Sequence, residues 1–286
     1  MHIVILVLFV LGVYYAGARD ANSDAPRRPR TPPRLSLAGP PPSLPGPSAL
    51  DPVLIVNPSE PRRRPGSGTA FSIDSSGRWL TARHVTDDCD DIVVQIGPRQ
   101  GMRARRLVSH PRADVAYFET GGGSPALAIH DRLSLGGNGF HFGFPQGEPG
   151  DVHSRLIGRS TLEYRGQARR ETAVIWAEVR RVPDSLPQLG GLSGSPVVDA
   201  EGTVVGITIR SSERRGRVLS ADSISIREIL HLAAVQPGRP SEPPDRGVLT
   251  QEGFPTYGDI LRDRLSVAKV FCLVADDRGP RRPSIR

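Results

Sequence analysis

The sequence predicts an all-β fold built from short strands. Three observations predict it: short β-branched apolar segments recur, glycine, proline and aspartate separate them, and no repeating helical pattern lies between them. This pattern of short strands separated by turns is typical of a β-sandwich or β-barrel and disfavours a parallel α/β fold. The strand candidates are Ala70–Ile73, Trp79–Thr81, Ile92–Ile96, Ala104–Val108, Val115–Phe118, Ala173–Val179, Pro196–Val198 and Thr203–Arg210.

One predicted helix closes the β region. Its apolar positions repeat with the helical period and Ser225 is placed as its N-cap. The apolar positions are Ile226, Ile229, Leu230 and Ala233. Beyond it, the sequence predicts a helix over Tyr257–Leu265 and a strand over Val267–Ala275.

Composition divides the chain into five segments. Residues 1–18 contain an apolar run, predicted to be helical, that fits either a cleaved signal peptide or a membrane anchor formed by residues 3–18; both interpretations stay open. Either one predicts export, to the periplasm or the cell exterior. The other segments are a Pro/Arg-rich disordered linker (19–50), the main domain (51–235), a Pro-rich linker (236–246) and a short C-terminal extension (247–286) that we expect to dock on the main domain.

The positive charge of the chain does not indicate nucleic-acid binding. The formal net charge is +7, but much of the arginine excess lies in the linker and near the C-terminus, and no nucleic-acid module is present. The sequence also lacks Cys/His pairs at metal-ligand spacing and a glycine-rich phosphate loop, so we expect no metal or organic cofactor.

The segment Gly190–Pro196 is the strongest chemical signal. Acyl transfer needs a hydroxyl on a tightly turned backbone, with amides free to bind a developing oxyanion. Glycines around Ser193 permit that turn and leave the amides of Gly191 and Ser193 uncovered. Taken alone, the same segment also fits an ordinary Gly/Ser turn before a strand.

Two further residues complete a catalytic pattern. His84 follows the predicted strand that contains Leu80. An imidazole at this strand end can take and return a proton near neutral pH. Asp114 opens an apolar strand, a position from which a buried carboxylate orients an imidazole. The alternatives are a structural histidine and a strand-capping aspartate. The competing residues are His110, His130, His141, His153 and His231 for the base and Asp87, Asp88, Asp90 and Asp91 for the acid.

Together these segments resemble the trypsin-like peptidase family, most closely its bacterial HtrA branch. The resemblance rests on GTAF at 68–71, LTARHV at 80–85, ADVA at 113–116 and GLSGSPV at 191–197, in the order His, Asp, Ser. It implies two Greek-key β-barrels with the site between them. It also implies that His84 is the general base, Asp114 its orienter and Ser193 the nucleophile, with the amides of Gly191 and Ser193 as the oxyanion hole. The segment 143–147 resembles a loop of such proteases.

The sequence departs from the family in three ways. Arg83 and Ser195 replace residues that are usually different, and the C-terminal extension is too short for the PDZ domain that HtrA proteins carry. Pro187 stands where trypsins have the acid of the specificity pocket, so cleavage after Arg or Lys is not expected. With Ser211 on the pocket wall, the expectation is a small or aliphatic residue before the cleaved bond.

The two cysteines, Cys89 and Cys272, fit one disulfide in an exported protein, although two separate buried thiols remain an alternative. A bond between them would hold the C-terminal strand beside the first barrel, near His84.

The sequence therefore predicts a serine endopeptidase acting on proteins or peptides in the cell envelope. The alternative is a protease-like protein that binds peptides or serves as a scaffold without turnover. An α/β-hydrolase arrangement of Ser193, Asp222 and His231 is disfavoured because the last glycine of its G-x-S-x-G turn is Ser195 here.

Overall fold

The computed structural model describes residues 42–57, 64–212, 215–241 and 249–275. Within these ranges the chain is mostly β, which confirms the predicted fold class. None of the described helices combines the length and apolar character needed to cross a membrane. The predicted signal or anchor, 1–18, lies outside the described residues.

Seven strands form a curled sheet, called here the first sheet, in the order β5-β4-β14-β2-β3-β7-β6. Their bounds are β2 Gly66–Asp74, β3 Arg78–Thr81, β4 Asp91–Gly97, β5 Gln100–Arg103, β6 Arg106–Ser109, β7 Ala116–Glu119 and β14 Val267–Leu273.

The first sheet is not the hydrogen-bonded barrel that the resemblance implies. Its end strands β5 and β6 are consecutive pieces of one segment, joined by Ala104 and Arg105. Ala104 N donates to Ile92 O (2.8 Å) and Arg105 N donates to Glu119 O (2.8 Å). The segment therefore pairs with β4 and then turns to β7, so the chain itself bridges the two edges of the sheet.

The other half is a closed six-stranded barrel with a parallel edge strand, β1, added beside β9. Because β8 also pairs with β9, the six strands form a closed ring of hydrogen-bonded neighbours. We call this half the closed barrel. The bounds are β1 Val53–Val56, β8 Asn138–Gly143, β9 Gly150–Tyr164, β10 Arg170–Val182, β11 Pro196–Val198, β12 Val204–Ser212 and β13 Arg217–Ala221.

The β2–β3 turn illustrates how the sequence sets the local structure. Asp74 Oδ1 accepts a hydrogen bond from Ser76 N (2.5 Å), and Gly77 turns the chain at φ +96°. A Cβ on Gly77 would lie 2.1 Å from Gly122 O, so only glycine fits. The turn places Trp79 on the buried face, where its ring stacks with Phe118 at 6.3 Å.

Three α-helices, α1 Arg83–Thr86, α2 Ser223–Leu232 and α3 Phe254–Asp263, and one short 3-10 helix, Pro145–Gly147, complete the described part of the chain. The prediction of Ser225 as the N-cap of α2 is wrong. Asp222 occupies that position, and its Oδ1 accepts from Ser225 N (3.1 Å). The helix begins earlier because an aspartate oxygen satisfies a free amide of the first turn.

Parts of both predicted linkers contact the fold. Leu44 N donates to Leu133 O (2.7 Å) on the closed barrel, and Gly238 N donates to Ile73 O (2.9 Å) on the first sheet. Leu44 also packs against the apolar cluster of the closed barrel. Parts of residues 42–50 of the Pro/Arg-rich linker and of residues 236–241 of the Pro-rich linker therefore contact the two halves.

The C-terminal extension inserts its strand into the first sheet. β14 pairs antiparallel with β2 on one side and β4 on the other. Val267 and Val270 are fully buried, and burial of a valine side chain contributes about 1.5–3 kcal/mol. A disulfide joins Cys89, which follows α1, to Cys272 across 183 positions of sequence.

Replacing both cysteines with serine (Cys89→Ser/Cys272→Ser) should lower the free energy of unfolding by about 2–4 kcal/mol, because the unfolded chain gains the freedom that the long closed loop removes. Denaturant unfolding without reductant measures this loss. The wild type in reductant should match the double variant. Equal midpoints for the oxidised wild type and the variant would contradict a stabilising disulfide.

Candidate active site

His84 lies in α1, directly after β3 ends. Its backbone amide donates to Asp114 Oδ1 (2.9 Å), and its ring Nδ1 lies 2.7 Å from Asp114 Oδ2. The Asp114 side chain is only 8% exposed, whereas the His84 ring is 30% exposed. One carboxylate thus fixes both the backbone and the ring of His84, and leaves ring Nε2 as the nitrogen that can meet a substrate or a nucleophile.

The His84–Asp114 pair is electrostatically matched. Burial disfavours the charged imidazole, yet the charge of Asp114 and its hydrogen bond outweigh burial and raise the pKa of His84. Burial likewise opposes ionisation of Asp114, but His84 dominates and lowers the pKa of that carboxyl. Asp114 therefore stays ionised at the pH at which His84 gains its proton. A carboxylate that orients a histidine needs this property.

Ser193 lies in the turn between β10 and β11 and is partly exposed. Gly191 (φ +98°) and Gly194 (φ +88°) shape this turn. A Cβ on Gly194 would lie 2.0 Å from Thr69 O, so the turn lies tightly against β2. Thr69 N also donates to Ser193 O (2.9 Å).

Gly68 shows how closely the serine turn approaches the histidine helix. A Cβ built on it would meet the Val85 side chain at 2.6 Å and Ser193 O at 3.1 Å. The β2 backbone at this point therefore lies between the helix of His84 and the turn of Ser193. Only a residue without a side chain permits that approach.

Two backbone amides of the serine turn are left free. Leu192 N, Gly194 N and Ser195 N each donate to a carbonyl of the fold, at 3.0, 2.7 and 3.0 Å. In the part of the chain that the structure describes, the amides of Gly191 and Ser193 donate to no protein acceptor. This is the donor arrangement expected of an oxyanion hole.

The side chains of Ser193 and His84 are not hydrogen-bonded to each other. Among the described residues, no hydrogen bond joins the Ser193 hydroxyl to the His84 ring. The histidine and aspartate are thus a bonded pair, and the serine turn is held near them by β2. Catalytic hydrogen bonds are often long or absent in ligand-free proteins and tighten when substrate binds.

The loop at 143–147 contacts the serine turn. Gln146 N donates to Gly190 O (2.5 Å), and a Cβ on Gly191 would lie 2.5 Å from Phe144 O. On its other side, Lys269 Nζ of β14 donates to Gly147 O (2.7 Å). The loop therefore lies between the C-terminal extension and the serine turn.

The predicted pocket residues lie apart from the triad's hydrogen bonds. Pro187 is exposed, and its carbonyl accepts from Arg181 Nη1 (3.2 Å). Ser211 is partly buried on β12, the strand whose Thr208 carbonyl accepts from Gly194 N. Their contact with a substrate remains a prediction.

Four of the competing groups have other partners: His110, His130, His141 and Asp222. His110 Nε2 lies 2.8 Å from Glu228, and His130 Nε2 lies 2.7 Å from Asp199. His141 is buried between Thr208 and Ser154, and burial lowers its pKa to about 3, so it stays neutral. Asp222 caps α2 and pairs with Arg159, so its carboxylate oxygens bind these groups and not a histidine, which argues against the α/β-hydrolase arrangement.

One buried acid of the site has no signal in the sequence. Glu171 Oε2 accepts a hydrogen bond from the Asp114 amide (2.5 Å). Glu171 stands alone between arginine and threonine at the start of a strand, where the sequence pattern gives no reason to place it behind Asp114. Only the pairing of the two halves brings these residues together.

Residues 68–207 match the family model of the trypsin-like peptidase domain. The chain contains a trypsin-like peptidase domain. The matched segment of this domain includes His84, Asp114 and Ser193.

The curated relatives of the trypsin-like peptidase domain are DegP-like proteins. A probable periplasmic serine endoprotease, DegP-like, of Ectopseudomonas mendocina is 28% identical over 169 residues, which cover 58% of this chain and 34% of the relative. A protein of the same description from Pseudomonas putida is 28% identical over 152 residues, covering 52% of this chain and 30% of the relative. The chain thus spans about a third of the length of these relatives.

Solved protease structures are similar at low identity. The active form of the Rv3671c protease of M. tuberculosis is 17% identical with a TM-score of 0.49, covering 71% of this chain and 96% of that chain. The HtrA-type protease AlgW with a decapeptide is 20% identical with a TM-score of 0.47, covering 58% of this chain and 51% of that chain.

The raised pKa of His84 is directly measurable. NMR titration of the ring should give a midpoint above the ordinary value of about 6.5, because Asp114 stabilises the imidazolium. The Asp114→Asn variant should move the midpoint downward, since it removes the negative charge and leaves burial. The spectrum of His84→Ala assigns the signal. A wild-type midpoint at or below that of Asp114→Asn would refute the electrostatic pairing.

Proposed function

We propose that this protein is a serine endopeptidase that hydrolyses peptide bonds through Ser193, His84 and Asp114. The observation that carries the proposal is the pair of free amides at Gly191 and Ser193, the second of which belongs to the proposed nucleophile itself, whereas the amides of Leu192, Gly194 and Ser195 donate to carbonyls of the fold. Two donors left free beside a serine are the arrangement that binding of an oxyanion requires.

In the acylation step, Ser193 Oγ attacks the scissile carbonyl carbon while its proton passes to His84 Nε2. The carbonyl oxygen gains the negative charge, and the amides of Gly191 and Ser193 donate to it. Asp114 stays ionised and supports the imidazolium. The tetrahedral intermediate then collapses: the C–N bond breaks, and His84 returns the proton to the leaving amine.

Deacylation repeats the steps with water. His84 takes a proton from the water as its oxygen bonds to the acyl carbon, and the same two amides stabilise the second oxyanion. Collapse releases the carboxylic acid and returns the proton to Ser193 Oγ. The raised pKa of His84 makes activity fall as pH decreases through that value, because the protonated ring is no longer a base.

We further propose that the protein acts on protein or peptide substrates in the cell envelope. The apolar segment 3–18 supports export, with or without a retained membrane tether, and the DegP-like relatives are described as periplasmic serine endoproteases. Processing or quality control of envelope proteins fits this location.

A fluorophosphonate probe tests the proposed nucleophile. The purified protein should be labelled at Ser193, and Ser193→Ala should abolish labelling, because the probe needs an activated hydroxyl next to an oxyanion hole. Ser185→Ala is the matched control, since Ser185 is an exposed serine close to the same turn and should leave labelling unchanged. Labelling that persists in Ser193→Ala would reject Ser193 as the nucleophile.

The second candidate, a protease-like peptide-binding or scaffold protein, is favoured by one observation: no described hydrogen bond joins Ser193 to His84. A folded protein that stays unlabelled and cleaves no peptide, yet binds peptides, would support it.

A peptide-library cleavage profile tests specificity. We expect cleavage after small or aliphatic residues, because Pro187 supplies no negative charge to hold a basic side chain. A Pro187→Asp variant should increase cleavage after Arg and Lys relative to the wild type. A wild-type preference for Arg or Lys would show that another acid forms the pocket and that Pro187 does not lie at its base.

A further inference from the structure

Glu171 is a buried carboxylate that the proposed mechanism does not use. It lies near the start of β10 in the closed barrel, and its side chain is 2% exposed. Its Oε2 accepts a hydrogen bond from the backbone amide of Asp114 at 2.5 Å. Asp114 lies in the segment that joins β6 and β7 of the first sheet, so this bond crosses between the two halves of the molecule immediately behind the His84–Asp114 pair.

The second oxygen of Glu171 is also fully engaged. Oε1 accepts from the Tyr164 hydroxyl and lies 3.4 Å from Arg169 Nη2. The Arg169 guanidinium lies 4.3 Å from the centroid of the Tyr164 ring, and its Nε donates to Arg112 O (2.9 Å). The closed barrel therefore holds Glu171 by two groups, and one of these also binds the segment that leads to Asp114.

Burial of Glu171 together with Tyr164, Arg169 and Asp114 destabilises the fold unless each of these polar groups has a partner. Burial and the nearby charge of Asp114 raise the pKa of Glu171, while the Tyr164 hydroxyl, Arg169 and the Asp114 amide oppose that rise. The groups that face Glu171 are Asp114, Tyr164 and Arg169. A cavity of about 260 Å³ lies beside Glu171, and its other polar lining residues are His110, Arg112, Arg170, Asp222 and Glu228.

We propose that Glu171 is a positioning residue for the catalytic carboxylate: it holds the Asp114 backbone so that both carboxylate oxygens face His84. This inference rests on the proposed function. Asp114 uses Oδ1 for the His84 amide and Oδ2 for the ring, so a small rotation of its backbone breaks both bonds. Displacements of about 1 Å can cost on the order of 100-fold in rate.

Removal of the side chain tests this role. Glu171→Ala leaves the Asp114 amide without its acceptor and should lower kcat at least 10-fold with KM nearly unchanged, because the hydrogen bonds of Glu171 go to Asp114, Tyr164 and Arg169 and not to the predicted pocket residues Pro187 and Ser211. Glu171→Gln retains an oxygen that can accept from the amide and should recover most of kcat. Glu163→Gln is the matched control, since Glu163 lies on the neighbouring strand and pairs with Arg170 at the surface. It should behave like the wild type.

The pH profile separates positioning from a merely structural role. The acid limb of kcat/KM should move to lower pH in Glu171→Ala, because a displaced Asp114 supports the charged imidazole less and the pKa of His84 falls, whereas Glu171→Gln, which still accepts from the Asp114 amide, should keep the wild-type limb. Activity is expressed per folded molecule, measured by circular dichroism, so that partial unfolding does not count as lost catalysis. Normal kcat in Glu171→Ala would overturn the proposal, and so would a loss that Glu171→Gln does not restore.

NMR of the His84 ring tests the role of Glu171 without a measurement of catalytic activity. In Glu171→Ala the His84 pKa should fall and its Nδ1 proton should lose the downfield shift of a strong hydrogen bond to Asp114. Glu163→Gln should change neither. If the wild type neither cleaves peptides nor reacts with the fluorophosphonate probe, the proposed function fails, while an unchanged His84 spectrum in Glu171→Ala rejects the role of Glu171 separately.

Discussion

The strand β14 is the constraint on which the first sheet depends. It comes from the C-terminal extension, yet it lies in the interior of the sheet, with β2 on one side and β4 on the other. Without it the sheet would separate into two parts, each with a new unpaired edge. Since β2 leads to the turn and strand that precede His84, and Cys89 follows α1, the C-terminal extension fixes the segment that carries His84, the proposed general base.

The same extension also stabilises the closed barrel and the loop beside the serine turn. Arg262 of α3 donates to both carboxylate oxygens of Asp151 at 2.5 and 2.9 Å, with both side chains buried. Removal of one partner from such a pair typically costs about 3–5 kcal/mol, because the other charge stays buried. With Lys269 bound to Gly147 O, the extension contacts both ends of the loop that donates to Gly190. The extension therefore supports both the segment of His84 and the loop beside the amides proposed to bind the oxyanion.

The sequence predicts the parts of the site that local chemistry encodes. His84 and the glycines around Ser193 stand in short motifs, and the β2–β3 hairpin follows from its turn residues. Long-range pairing is not encoded in that way: neither the place of β14 in the sheet nor the bond from Asp114 to Glu171 leaves a local pattern. β8 and β9 escape prediction for a different reason. Their buried faces contain the polar side chains of His141 and His153, so the apolar alternation that marks a strand is interrupted.

The candidate active site depends on contacts that cross between the two halves. On one side of the site, β2 accepts the serine turn: Thr69 N donates to Ser193 O, and Thr69 Oγ1 donates to Gly191 O (2.8 Å). On the other side, Glu171 of the closed barrel binds the Asp114 amide. Each half thus holds a catalytic segment that belongs to the other. A shift of one half against the other would displace Ser193 and Asp114 together, so the proposed site requires the two sheets to keep their relative positions.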